Sequence, residues 1–105
     1  MGSIYHGKFN VGNDGADQCT VCNWDGFGSN KLEIQVNWSA LGIPNGINKT
    51  VFLMADGNNN SHTDNWNVSL QRMTSSEMEI IIDRVDGGGW GLTELRLHYM
   101  IISND

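Results

Sequence analysis

The stretch from Glu77 to Ile102, EMEIIIDRVDGGGWGLTELRLHYMII, constrains the fold more than any other part of the chain. Met78, Ile80 and Ile82 fall on one side of a two-residue repeat, and Glu77, Glu79 and Asp83 fall on the other. That is the period of a half-buried strand, not of a helix. Leu95, Leu97, Tyr99 and Ile101 alternate in the same way with Glu94, Arg96 and His98, before Met100 and Ile102 make the end apolar on both faces. Between the two runs, Gly87, Gly88, Gly89 and Gly91 surround Trp90 and admit backbone conformations closed to residues with a Cβ. The pattern predicts two strands joined by a loop that carries Asp86 and Trp90, with Asp83 and Arg84 at its base.

Four further strands are readable. Tyr5, Phe9 and Val11 oppose His6, Lys8 and Asn10, and Leu32, Ile34, Val36 and Trp38 alternate without exception with Lys31, Glu33, Gln35 and Asn37. Trp66, Val68 and Leu70 oppose Asn67, Ser69 and Gln71. Thr50 to Ala55 is apolar throughout, as expected of a strand buried on both faces or covered by a neighbouring subunit. Thr74 to Glu77 has the spacing of a helix capping box, but Ile80, Ile81 and Ile82 favour a strand and the glycines would end a helix after two turns. The nineteen residues from Gly12 to Asn30 read as one long loop, pinned by Cys19, Cys22, Trp24 and Phe27. Asp56 is followed by a polar loop through Asn65, and GIPNGIN supplies a turn at Pro44, Asn45 and Gly46. With no repeat of solenoid length, the expectation is a single domain over residues 1–105, all-β, a six-stranded antiparallel β-sandwich. Met1, Gly2 and Ser3, at its start, are open to a reading as added residues.

The net charge of −6, with six Lys and Arg scattered along the chain, argues against nucleic acid or an anionic membrane surface as partner. No apolar run approaches the ~18 residues of a membrane span, so no membrane insertion is expected. The opening MGSIYHGKF lacks the apolar core of a signal peptide, which leaves a cytoplasmic address, or an extracellular or cell-surface one reached by a non-classical route. Cys19 and Cys22 form a lone CTVC. A zinc site needs a second pair of ligands and a redox site a strand-to-helix setting, so the pair reads as structural, oxidised or reduced.

Enzymatic motifs are missing: no GxSxG, HExxH or GxxxxGK[ST] occurs. His6, His62 and His98 are far apart. Asp83 and Asp86 are spaced as a candidate carboxylate pair, but at a strand end they suit turn capping or ligand hydrogen bonds better. Asp56, Asn58, Asn60, His62 and Asp64 alternate like the ligands of a calcium loop. The glycine of such a loop is replaced by Ser61 and its closing glutamate by Asn67, so neither a metal nor another cofactor is expected. The loops do offer what a saccharide needs, short acceptors and donors fixed in place beside a flat aromatic ring. Asp25 beside Trp24, and Arg84 and Asp86 beside Trp90, are the candidates, against the plainer reading that both tryptophans belong to the core and Arg84 pairs with an aspartate.

With these residues in view, the chain resembles the H-type lectin domain, the family of the snail agglutinin and of the carboxy-terminal domain of discoidins. The resemblance runs through HGKFNVGND, Trp24, LEIQVNW, KTVFLMAD, NWNVSLQRMTSSEMEIII and DGGGWGLTELRLHYMII, nearly the whole chain, mostly as a pattern of apolar positions. It implies a non-catalytic, haemagglutinin-like lectin that binds galactose or N-acetylgalactosamine on cell-surface glycans, multivalent as a homo-oligomer, a trimer or hexamer. The acid of the family's site falls at Asp25, its basic position at Asn67 and its loop position at Asp86 near Trp90. Asn67 and Asp86 depart from the family pattern, and Val11 and Ile82 stand where its usual disulfide would be. The rival expectation is a structural or receptor-attachment sandwich with no sugar pocket. Sequons at Asn37, Asn48, Asn59 and Asn67 are read as chance matches in an Asn-rich chain.

Overall fold

The structure, a computed structural model, describes residues 2–13, 16–28, 31–57, 66–85 and 95–105. Their strands are β1 (Ser3–Asn13), β2 (Ala16–Asp17), β3 (Cys22–Phe27), β4 (Lys31–Asn37), β5 (Lys49–Gly57), β6 (Trp66–Met73), β7 (Glu77–Arg84) and β8 (Leu95–Ser103). They form two four-stranded sheets, β2-β1-β8-β5 and β3-β4-β7-β6, with every pairing antiparallel. The chain is an all-β sandwich.

The alternating residues close the core between the sheets. Leu32, Ile34 and Val36 of β4, Met78, Ile80 and Ile82 of β7, and Leu95, Leu97 and Ile101 of β8 are all fully buried, with Val11 of β1. Removing one such isoleucine or leucine side chain from water contributes about 2 kcal/mol, so the two-residue period is enforced at every rung. A one-residue slip would turn a whole strand inside out. Thr74 does cap, but it caps a turn: its hydroxyl accepts the N–H of Glu77 at 3.1 Å and of Ser76 at 3.4 Å, and β7 follows instead of a helix.

Three expectations are corrected. Among the described residues there are seven strands of six residues or more plus the two-residue β2, not six, because the segment read as a long loop contains β2 and β3. β3 pairs with β4 from Cys22 opposite Val36 to Phe27 opposite Leu32, and the hydrogen bonds of that ladder outweigh the low strand propensity of its Asn, Asp and Gly. Thr50 to Ala55 is not buried on both faces within the chain. Val51, Leu53 and Ala55 pack on the core, while Phe52 and Met54 lie 50% and 59% exposed, because alternate residues of β5 point off the outer face of a two-layer sandwich. Trp38, read as the end of a strand, opens a 3₁₀ turn over Trp38–Leu41. Its indole is fully buried and donates to the Thr74 carbonyl at 3.0 Å, tying the turn to the β6–β7 connection. Gly42 ends that turn at φ 72°, a left-handed cap that suits glycine. Cys19 and Cys22 are disulfide-bonded, which closes the loop that feeds β3.

Candidate functional site

A groove of about 200 Å³ runs across the outer face of the β3-β4-β7-β6 sheet, lined by Asp25, Glu33, Ile34, Gln71, Glu79, Ile80 and Ile81. Ile34 and Ile80 point their side chains into the core, so they contribute backbone to its floor, and Glu33, Glu79 and Ile81 rise from it.

Two irregularities shape the groove. In β3 the register against β4 shifts between Trp24, opposite Ile34, and Gly26, opposite Glu33. In β6 the register against β7 shifts between Leu70, opposite Ile80, and Arg72, opposite Glu79. Ile34 and Ile80 are themselves partners. The bulges therefore flank one rung, on opposite sides of it and on the two outermost strands of the sheet, and their extra residues are Asp25 and Gln71. A bulge bends its strand and re-aims the inserted side chain. Three strand spacings separate the two edges, about 14 Å.

The polar groups between them are partly fixed. Arg72 Nη2 lies 2.7 Å from Glu79 Oε1, the Gln35 amide donates to the same oxygen at 3.4 Å, and Lys31 Nζ is 3.5 Å from Glu33 Oε1. Among the described residues, no hydrogen bond or ion pair engages the side chains of Asp25 or Gln71. The arrangement offers acceptors at both ends, an amide donor at one, and an aliphatic contact at Ile81.

The residues singled out in the sequence are distributed unevenly over this face. Asp25 belongs to the groove. Trp24, its neighbour, packs against the core: its indole N–H donates to the Val11 carbonyl at 2.9 Å, and its ring stacks on Phe27 with centroids 5.3 Å apart and planes 19° apart. Asp17 orders the approach to β3, accepting the N–H of Cys19 at 3.0 Å and of Trp24 at 3.3 Å. Asn67 is exposed and pairs with Asp83 in register, while Lys31 lies opposite Asp83 on β4. That rung continues the face beyond the groove. Arg84 pairs with Trp66 in register, its guanidinium 5.9 Å from the Trp66 ring centroid. Asp86 and Trp90 lie outside the described residues, as do Asn58, Asn60, His62 and Asp64 of the calcium-like loop. Glu33, Gln71 and Glu79 carried no sequence motif. The signal for Gln71 was the change of phase in β6, where Trp66, Val68 and Leu70 give way to Met73.

The opposite sheet has its own polar cluster. On its outer face, Asp56 of β5 receives Arg96 Nη2 at 2.8 Å and Nε at 2.9 Å on one carboxylate oxygen, and the other oxygen meets His98 Nε2. Partial burial pushes the Asp56 carboxyl up, but hydrogen bonds from His98 and Arg96, and their charges, bring it below the usual aspartate value. Asp56, the first residue of the calcium-like pattern, is thus committed to β8. Among the described residues, no three His, Cys, Asp or Glu side chains gather as a metal-binding set. No helix among them is long and apolar enough to cross a membrane.

No family model matches the chain, and neither the curated proteins nor the solved structures hold a match to it.

Proposed function

We propose that this chain is a carbohydrate-binding module, a lectin for galactose- or N-acetylgalactosamine-type glycans, and that the groove over the β3-β4-β7-β6 sheet is its site. One observation carries the reading. Two bulges flanking a single rung place a carboxylate, Asp25, and an amide, Gln71, along one groove, over a sheet on which Glu79 is already held by Arg72 and Gln35. Glu79 is thus fixed before binding, while Asp25 and Gln71 stay open to sugar hydroxyls, at the cost of the rotamers that binding freezes. The resemblance of the chain to H-type lectins supports the same class and likewise points to Asp25. Asn67, on the next polar rung, extends the site for a second ring, and residues 86–94 adjoin its Arg84 end in sequence. Each site is weak alone, and several copies engaging one glycan-bearing surface supply the avidity.

A glycan array tests the proposal. Binding confined to terminal galactose or N-acetylgalactosamine, reduced ~tenfold or more by Asp25→Ala and by Gln71→Ala, is the expected result. An array without hits, from protein shown to be folded, overturns it. The second reading, an attachment module with no sugar site, is favoured by the apolar exposure of Phe52, Met54 and Met100 on the other sheet. It predicts cell attachment that survives both groove substitutions.

A further inference from the structure

β5 ends its sheet with a long, regular edge. It pairs with β8 residue for residue from Lys49 opposite Ser103 to Gly57 opposite Leu95, with no bulge, and no described strand pairs with its other side. Natural edge strands are guarded by charge, proline or a bulge that turns them away from further pairing. Among the described residues, β5 has none of these free to guard its edge. Its lysine, Lys49, has a fully enclosed side chain, with Nζ 4.9 Å from the Trp38 ring centroid and donating to the Gly46 carbonyl at 2.7 Å. Its aspartate is held by Arg96 and His98. Between them, Phe52 and Met54 face solvent, and Met100 of β8 lies beside Phe52 in register, 41% exposed.

We infer that the partner of this edge is a second copy of the chain, added antiparallel through β5 about a two-fold axis at Leu53. Leu53 is the midpoint of the nine-residue strand, so that axis alone overlaps β5 over its full length. It sets Phe52 against the partner's Met54 and Met54 against the partner's Phe52. Thr50 falls opposite the partner's Asp56, a hydroxyl donor against a carboxylate. No charge meets a like charge. An axis at Met54 would set Phe52 against the partner's Asp56, and an axis at Phe52 would set Met54 against Thr50; each also shortens the ladder. The resulting eight-stranded sheet carries an unbroken apolar stripe, Met100 and Phe52 of one copy continuing into Met54 of the other. A nine-residue edge is about 30 Å long. With side chains ~15 Å deep it buries on the order of 900 Å² in total, the size of a weak, reversible dimer. The inference stands apart from the sugar reading, since it concerns the other sheet and is read by association alone.

Sedimentation of the full chain across the micromolar to millimolar range tests it. The wild type is expected to pass from monomer to dimer, two grooves per particle in place of the trimer or hexamer that the lectin resemblance implies, with Phe52→Glu and Met54→Lys each weakening association ~tenfold or more. Mild oxidation of mixed Phe52→Cys and Met54→Cys proteins is expected to give the mixed disulfide, with each variant alone giving little, because only directly opposed Cβ atoms come close enough to bridge. A chain that stays monomeric throughout overturns the inference, as do association indifferent to both edge charges and a Phe52→Cys protein that cross-links only to itself.

Discussion

Trp24 adjoins the groove in sequence but turns its ring the other way, and Trp24→Phe separates a structural tryptophan from a sugar-stacking one. The substitution keeps an aromatic ring against Phe27 and removes the indole N–H that donates to the Val11 carbonyl at 2.9 Å. Val11 is fully buried, so its carbonyl is left with poor access to water. A lost hydrogen bond costs about 1 kcal/mol, and more when the surviving partner stays dry. The missing ring atoms add about 1 kcal/mol, reduced by the partial exposure of the site. The sum, about 2 kcal/mol, is a large share of the ~5–15 kcal/mol that holds a domain of this kind together. With a urea dependence near ~1 kcal/mol per molar for a small domain, the midpoint followed by circular dichroism should fall by about 2 M. Sugar affinity should stay within ~twofold of wild type. A variant with an unchanged midpoint and abolished sugar binding would refute the reasoning, since the ring would then be serving a ligand and not the core.

Three other outcomes follow from the same physics. Cys19→Ser with Cys22→Ser opens a loop closed by residues only three apart, so chain entropy predicts a loss of about 2 kcal/mol or less, measurable as a midpoint shift without loss of the sandwich spectrum. Asp56 has a lowered carboxyl value in the folded chain, so its contribution is full above the unfolded value of about 3.9 and disappears as pH falls through the lower folded value. The stability gap between wild type and Asp56→Asn, no more than about 1 kcal/mol for a pair this exposed, should be present in mild acid and close only in stronger acid. Gly46 has φ 133°, and a Cβ there would lie 2.3 Å from the Asp105 carboxyl. Gly46→Ala is therefore expected to displace Asp105 from Lys49 and from the Asn48 N–H it accepts, lowering the melting temperature more than Gly42→Ala, whose added Cβ meets nothing within 4 Å.

The sandwich was legible because its central strands obey a strict two-residue period: β4, β7 and β8 alternate so cleanly that their buried faces could be named from sequence. What stayed hidden broke the period. Asp25 and Gln71 are inserted residues, and an insertion at a bulge looks like noise in a pattern of two. In β6 the displacement from Leu70 to Met73 was a readable trace of it. In β3 the Asn, Asp and Gly content of the segment masked a strand whose edge position tolerates such residues. The apolar run of β5 was correctly strand-like, but periodicity reports that a face is apolar and not what covers it. The groove itself was only half visible. Asp25 was found through the resemblance and its neighbouring tryptophan, whereas Glu33 and Glu79 read as the ordinary polar faces of their strands until pairing brought them into one row of rungs.

The most direct measurement is a backbone amide NMR titration of the wild type and the Asp25→Ala/Gln71→Ala double variant with galactose- and N-acetylgalactosamine-terminated oligosaccharides. Saturable shifts centred on Asp25, Glu33, Gln71 and Glu79 in the wild type are expected, absent from a double variant that keeps its denaturation midpoint. Shifts confined to the outer face of the β5 and β8 strands, or none from any oligosaccharide, would contradict the assignment of the groove as a sugar site.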